Sequence, residues 1–298
     1  MSIKVYYSKY QTAKSNKSYS PSAQKPSQVV DDWMESGFDI KVIPPKKATV
    51  ADLCLAHDES YVKGVLSGNL ENGFGNKSEE VAKSLLHTTG SFLSAAEEAI
   101  TRGGVAVSPT SGFHHACYSS GGGFCTFNGL MVSAVKLLEK KEVKRVGILD
   151  MDFHYGNGTD DIIKKLELKD SIRHFTTGAT RRSPSDAETF LESFHLLLKT
   201  LFDVKGSSRR VDILFYQAGA DAHKDDPLGG WMTTEQLKRR DKIVFEVMKE
   251  LNIPVVVNLA GGYQVEPDGS IPKVLEIHRN TMEMAQLIYS DKEEEDVA

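Results

Sequence analysis

Val-Gly-Ile-Leu-Asp-Met-Asp-Phe-His-Tyr-Gly-Asn-Gly-Thr, residues 146–159, is an apolar run that ends in a burst of polar chemistry. The four apolar residues 146–149 predict a buried strand of a parallel sheet. Asp150, Asp152 and His154 then follow at two-residue spacing, ahead of Gly156 and Gly158. In extended chain alternate side chains share a face, so two carboxylates and an imidazole converge at the carboxyl end of a strand. That is where open α/β sheets hold their ligands. An Asp-x-Asp pair also caps helices, and a lone histidine is commonly a satisfied core residue. Three such groups within five residues weigh toward a cation, because the cluster is costly to bury uncompensated.

Outward from this stretch, apolar runs alternate with segments of helical periodicity. Strands are expected near 3–7, 39–43, 105–107, 171–175, 211–216 and 254–259, with 8–27 as a long loop. Helices are expected over 29–36, 49–55, 60–66, 78–100, 128–139, 160–166, 186–202, 234–251 and 272–290. The alternation predicts one α/β domain, a three-layer αβα unit with a mainly parallel central sheet, over residues 1–290. Residues 291–298 read as an acidic tail.

Composition narrows the class. The chain has 298 residues, 40% of them hydrophobic, and a formal charge of −5 from 36 basic and 41 acidic side chains. That balance gives no pull toward nucleic acid or an anionic membrane surface. Cys54, Cys117 and Cys125 show no Cys-x-x-Cys spacing and read as reduced thiols. No apolar run approaches the roughly 20 residues of a membrane span, and the first twenty residues are too polar for a secretory signal. The expectation is a cytoplasmic protein; nothing in the sequence sets its oligomeric state.

Three further strand ends carry chemistry. His114 and His115 follow the 105–107 strand; Asp221, His223, Asp225 and Asp226 follow 211–216; Gly261-Gly-Tyr263 follows 254–259. Asp152, His154 and Asp221 suit a metal that keeps an open position. A neutral histidine of the pair can take a proton from water, and Tyr263 can donate to an oxyanion.

With these residues in place, the chain resembles the histone deacetylase superfamily, which includes acetylpolyamine amidohydrolases. The matching motifs are Gly112-Phe-His-His-Ala116, Gly122-Gly-Phe-Cys-Thr-Phe-Asn128, Asp150-Met-Asp-Phe-His-Tyr-Gly-Asn-Gly158, Gly219-Ala-Asp221, Asp226-Pro-Leu-Gly229 and Gly261-Gly-Tyr263. Residues 48–67, with His57 and Tyr61, resemble the family's N-terminal helical region, so the likeness runs across nearly the whole chain. It implies the arginase–deacetylase fold and a zinc-dependent deacetylase, iron(II) being the alternative metal. The implied substrate is an acetyl-lysine or other acylated amine.

The resemblance implies Asp152, His154 and Asp221 as metal ligands, His115 as general base, His114 as its partner and Tyr263 as the transition-state tyrosine. It implies Asp150 as the support of His114, and Gly123 and Phe124 as the substrate lip. It further implies a K+ site from Asp150, Asp152 and His154, with Ser171 and Ile172 as additional contributors. Three departures stand out. Asn157 replaces a frequent aspartate partner of the second histidine, and Tyr155 replaces a frequent histidine. Residues 175–186 lack the family's Gly- and aromatic-rich wall and carry Arg181-Arg182 instead, which predicts a more open site.

Two rival readings remain at this stage. A ureohydrolase-like binuclear manganese enzyme of the same fold needs more Asp-x-Asp ligands than Asp221 and His223 offer. A non-catalytic acyl-lysine-binding protein has no use for a base and an oxyanion donor.

Overall fold

The computed structural model describes residues 2–14, 18–203 and 210–290; the expected acidic tail lies outside them. In chain order the strands are β1 (Ile3–Tyr6), β2 (Ile40–Ile43), β3 (Val105–Ser108), β4 (Val146–Asp150), β5 (Ile172–Thr176), β6 (Ile213–Gly219) and β7 (Val255–Ala260). They form one sheet in the order β2-β1-β3-β7-β6-β4-β5, every pairing parallel. All four strands predicted to carry chemistry are therefore contiguous in the middle, and their carboxyl ends share one edge.

The intervening helices are α1 (Lys25–Glu35), α2 (Val50–Leu53), α3 (Glu59–Leu66), α4 (Glu79–Arg102), α5 (Gly129–Glu139), α6 (Asn157–Lys165), α7 (Ala187–Phe202), α8 (Thr234–Glu250) and α9 (Pro272–Tyr289). Strand periodicity decides which helices cover which face. Leu214, Tyr216, Val255 and Val257 enter one core with Val30, Phe194, Phe245 and Ile277 of α1, α7, α8 and α9. Their neighbours Ile213, Phe215 and Val256 enter the other, with Val62, Phe92, Leu130 and Ile162 of α3, α4, α5 and α6. Successive side chains of a central strand thus serve opposite layers, which is why β4, β6 and β7 are buried throughout. No helix of the described residues is long and apolar enough to cross a membrane.

Two helix starts differ most from expectation. Among the described residues of 8–27 stand two short 3-10 turns, and α1 starts at Lys25, ahead of the predicted 29. Pro26 sits in its first turn, where a missing N–H leaves no hydrogen bond unmade. Helix α6 begins at Asn157, directly after the central motif, so Asn157 stands on a helix instead of a loop.

A buried ion pair supports the active edge from behind. Arg240 of α8 is fully buried and donates from Nη1 to the carbonyl of Gly219 at 2.8 Å and from Nε to Asp241 at 2.8 Å. Asp241 also accepts from Tyr216 and, at 2.6 Å, from Thr281 of α9. The end of β6, two residues before Asp221, is thus clamped through Nη1 and Nε of Arg240.

Candidate metal and catalytic site

At the shared edge, β4 delivers Asp150 and the turn beyond it delivers Asp152 and His154, while β6 runs into Asp221. Ligand atoms of Asp152, His154 and Asp221 all lie within 4.8 Å of one another. Nδ1 of His154 is 3.1 Å from Asp152 Oδ1 and 2.9 Å from Asp221 Oδ2. Asp152 is 1% and Asp221 0% exposed, so two carboxylates face each other out of water.

Their electrostatics are those of a site built for a cation. Burial and the neighbouring Asp152 push Asp221 up to about 8. Burial opposes ionisation of Asp152 as well, but His114 and His154 outweigh it and hold that carboxyl well below the usual range. Hydrogen bonds to Asp152 and Asp221 raise His154 to about 11. Two oxygen donors and one imidazole nitrogen converging in this way fit zinc or iron(II).

Beside them stands the histidine pair, carried by the loop after β3. Nδ1 of His114 donates to Asp150 Oδ2 at 2.7 Å, and the rings of His114 and His115 lie 4.0 Å apart, centroid to centroid. Asp150 is satisfied on its other oxygen by Gln217 Nε2 at 2.8 Å and the Asp152 N–H at 3.2 Å. His115 donates from Nδ1 to the Asn157 side-chain oxygen at 2.6 Å, which leaves Nε2 as an acceptor. The two histidines are driven apart. Burial lowers His114, but Asp150 and Asp152 overcome it and raise the group to about 9. Burial and the neighbouring His114 lower His115. A cationic and a neutral imidazole side by side is the arrangement that acid–base chemistry uses.

Tyr263 follows β7 and Gly261-Gly262. Its N–H donates to Asp226 Oδ2 at 2.7 Å, and burial keeps its hydroxyl protonated and so able to donate. Its ring lies 5.5 Å from that of Phe124, which also meets Phe74 at 5.7 Å and Tyr19 at 5.3 Å. The lip turns sharply to bring Phe124 here: Gly123 and Phe124 have φ of 51° and 64°. A side chain at Gly123 would place Cβ 2.4 Å from the His115 ring. Phe124 in the left-handed region is backbone strain of the sort that gathers at functional sites. Between Phe124 and Tyr263 lies a recess of about 10 Å³, also lined by Ser22, Ser111, Gly112, His114, Cys125, Asp152 and Gly261. Cys125 is buried, which pushes its thiol up, and it is no nucleophile.

Asp150, Asp152, His154, Asp221, His114, His115, Tyr263, Gly123, Phe124 and Asn157 are brought together. Ser171 and Ile172 are not. The register pairs Val146 with Ile172 and Asp150 with Thr176. Four residue steps, roughly 13 Å, therefore separate the start of β5 from the metal edge. In this neighbourhood stand Thr176 and Thr177 instead, the Thr177 hydroxyl donating to the Asp152 carbonyl at 2.7 Å. The expected contribution of Ser171 and Ile172 to a monovalent-cation site is corrected accordingly. His223 turns away: Nε2 lies 3.1 Å from Thr234 Oγ1, and Nδ1 accepts from Asp225 N and Gln264 Nε2. Among the described residues no second ligand cluster accompanies the first.

Three contributors were not singled out in the sequence. Gln217 Oε1 accepts from Phe113 N at 3.0 Å while its amide nitrogen holds Asp150, so one side chain ties the histidine loop to β4. A polar residue inside the otherwise apolar strand 213–218 was the available signal. Lys25 is fully buried, donates to the Gly261 carbonyl, and is lowered by burial to about 8 despite the pull of Asp221 and Asp152. His174, buried on β5, hydrogen-bonds Asp160 from Nδ1 at 2.8 Å and faces Asp150 at 3.9 Å. Nothing local marks either of these.

Comparison with known proteins places this arrangement. Residues 20–209 and 169–276 match the model of the histone deacetylase domain. The chain is 26% identical over 245 residues to histone deacetylase 2 of Arabidopsis thaliana, covering 74% of this chain and 63% of that protein, under two thirds of its length. Two solved structures share the fold. The HDA15 HD domain superposes with a TM-score of 0.75 at 18% identity, covering 97% of this chain and 91% of the other. An acetylpolyamine aminohydrolase from Burkholderia pseudomallei gives 0.74 at 17% identity, covering 96% and 99%.

Proposed function

This chain belongs to the histone deacetylase family, and we propose that it is a metal-dependent amidohydrolase removing an acetyl or similarly small acyl group from an amine. The observation that carries the reading is the meeting of Asp152, His154 and Asp221 with a split histidine pair and a protonated tyrosine at one edge of the sheet. Zinc or iron(II) held by those three side chains would polarise the acyl carbonyl and acidify water.

The remaining chemistry belongs to the chain. His115, neutral and oriented by Asn157, presents Nε2 to take a proton from the attacking water. Tyr263 donates its hydroxyl to the developing oxyanion, and the lip residue Phe124 packs against its ring. His114, held cationic by Asp150, adds positive charge beside the forming intermediate, and a protonated histidine of the pair returns a proton to the leaving amine. Gly123 and Phe124 line the stem of the acyl-amine, while Ser22, Ser111 and Cys125 close the recess around the small acyl group.

A panel of acetyl-lysine fluorogenic peptides, acetylpolyamines and small N-acetyl amides, assayed with zinc- or iron(II)-loaded protein, tests the proposal. Turnover of at least one class, abolished by chelation, is expected. A folded, metal-loaded protein inert on every class overturns it.

A further inference from the structure

The segment that replaces the usual aromatic wall carries charge of its own. After β5 the chain makes a 3-10 turn at Thr177–Ala179, passes Thr180, Arg181 and Arg182, and turns again at Pro184–Asp186 before α7. Thr177, Gly178, Thr180, Arg181 and Arg182, with Phe153 and Trp231, line a pocket of about 340 Å³. The Arg182 guanidinium lies over two rings, 4.6 Å from the Phe190 centroid and 5.0 Å from that of Trp231. Aromatic faces hold a guanidinium in place but supply no acceptor for its N–H groups.

No carboxylate of the described residues lines the pocket. Nε of Arg182 is buried with no hydrogen-bond partner. Among the described residues the arginine ion pairs are made by Arg102, Arg210, Arg239, Arg240 and Arg279, and none by Arg181 or Arg182. The carboxylate that pulls on Arg182, Asp186, turns Oδ2 to the N–H and hydroxyl of Ser183 at 2.7 and 2.8 Å. A guanidinium N–H buried without an acceptor is costly, because the water it gave up is not replaced. A residue kept at such a cost in a pocket points to an anion that arrives from outside.

The pocket shares a wall with the metal cluster. Phe153 lies between the ligands Asp152 and His154, and Thr177 hydrogen-bonds the Asp152 carbonyl. Gly178 passes so close that a Cβ there would sit 2.0 Å from the His154 carbonyl carbon. The recess beside Tyr263 is small, about 10 Å³, so most of a substrate, its amine portion included, lies outside it. Guanidinium forks match carboxylates in paired, charge-assisted hydrogen bonds.

We propose that Arg181 and Arg182, with the hydroxyl of Thr180, form an anion subsite that takes a carboxylate on the amine portion of the substrate. The preferred substrate is then an acylated amine bearing a free carboxylate. This rests on the amidohydrolase reading, and the test keeps the two apart.

The measurement is kcat/KM for 4-acetamidobutanoate and 6-acetamidohexanoate beside their uncharged carboxamides and the phosphate monoesters of the matching acetamidoalcohols. The wild type should favour a carboxylate over its carboxamide by about 10-fold or more, the value of one charge-assisted hydrogen bond. That advantage should fall below about 2-fold in Arg182→Met and weaken in the exposed-loop variant Arg181→Gln, which keeps the test alive if Arg182→Met does not fold. Equal rates for acid and amide overturn the subsite, and a preference for the phosphate monoester overturns the carboxylate assignment. Binding of 4-aminobutanoate, followed by tryptophan fluorescence through Trp231, supplies the second arm. Quenching in wild type but not in Arg182→Met, with no hydrolysis of any compound, upholds the subsite and sinks the amidohydrolase reading. Neither quenching nor hydrolysis sinks both.

Discussion

His57 should make the stability of this protein fall steeply in mild acid. The residue is 1% exposed. Its Nδ1 lies 2.9 Å from the Cys117 carbonyl, and its Nε2 accepts the backbone N–H of Asn128 at 2.8 Å. Both partners dictate one tautomer: an N–H donor already points at Nε2, so a second proton there has no acceptor and meets a like dipole. Burial lowers the group from 6.5 to about 4, partly offset by the carbonyls of Cys117 and Tyr118. The unfolded chain takes up this proton near 6.5 and the folded chain only near 4. Stability from the neutral ring is therefore complete above 6.5 and is lost as pH falls toward 4. The full span is roughly 3 kcal/mol, and about 2 kcal/mol is gone by pH 5, at ~1.4 kcal/mol per unit. Urea unfolding at pH 7.5 and 5.0, for wild type and His57→Gln, isolates this contribution from every other titrating group. The wild type should lose about 2 kcal/mol more than the variant between the two conditions. Parallel losses in the two proteins would show that His57 stays solvated or changes partner, and would refute the reasoning. Because the ring anchors the N-cap of α5 and the loop carrying His114 and His115, activity should decline over the same range.

Three other outcomes are expected. Asp152→Ala should lose the bound ion, from about one per chain to almost none by elemental analysis, since two of three donors hold a divalent ion poorly; full retention would remove Asp152 from the ligand set. Tyr263→Phe should keep fold and metal but lose ~10²-fold or more in kcat, the usual effect of deleting an oxyanion donor; near-normal turnover would clear the hydroxyl of that role. Asn157→Asp adds a negative charge beside Nδ1 of His115, stabilises the imidazolium, and should move the acid limb of the kcat/KM–pH profile upward by about 1 unit. An unmoved limb would mean that His115 does not titrate in the working enzyme.

Much of this architecture was legible from periodicity alone. Every predicted strand is present within a few residues, because β4, β6 and β7 are buried on both faces and read as unbroken apolar runs. Asp150, Asp152 and His154 were legible because strand geometry converts two-residue spacing into a common face. What eluded the sequence depends on contacts between distant segments. Lys25 meets Gly261 across 236 positions, and Gln217 joins Phe113 across 104. The misplaced Ser171 and Ile172 show how much hangs on register. A strand expected at 171–175 runs over Ile172–Thr176, and only the pairing of Asp150 with Thr176 says which of its ends faces the chemistry.

The order of the sheet bears on how a protein of this kind changes through descent. β3, β7, β6 and β4 are each flanked on both sides, whereas β5 closes the sheet and pairs with β4 alone. An insertion or deletion after β6 or β7 disturbs two neighbours and the ligands they carry. The same change in 177–186, beyond the outermost strand, leaves every other pairing intact. Within that stretch Thr177 and Gly178 are tied to the backbone of Asp152 and His154, so the room for change in length and charge lies beyond them, in 179–186. Changes confined to this outer loop, where Arg181 and Arg182 stand, can therefore alter the pocket they line without moving the strands that carry Asp152, His154 and Asp221.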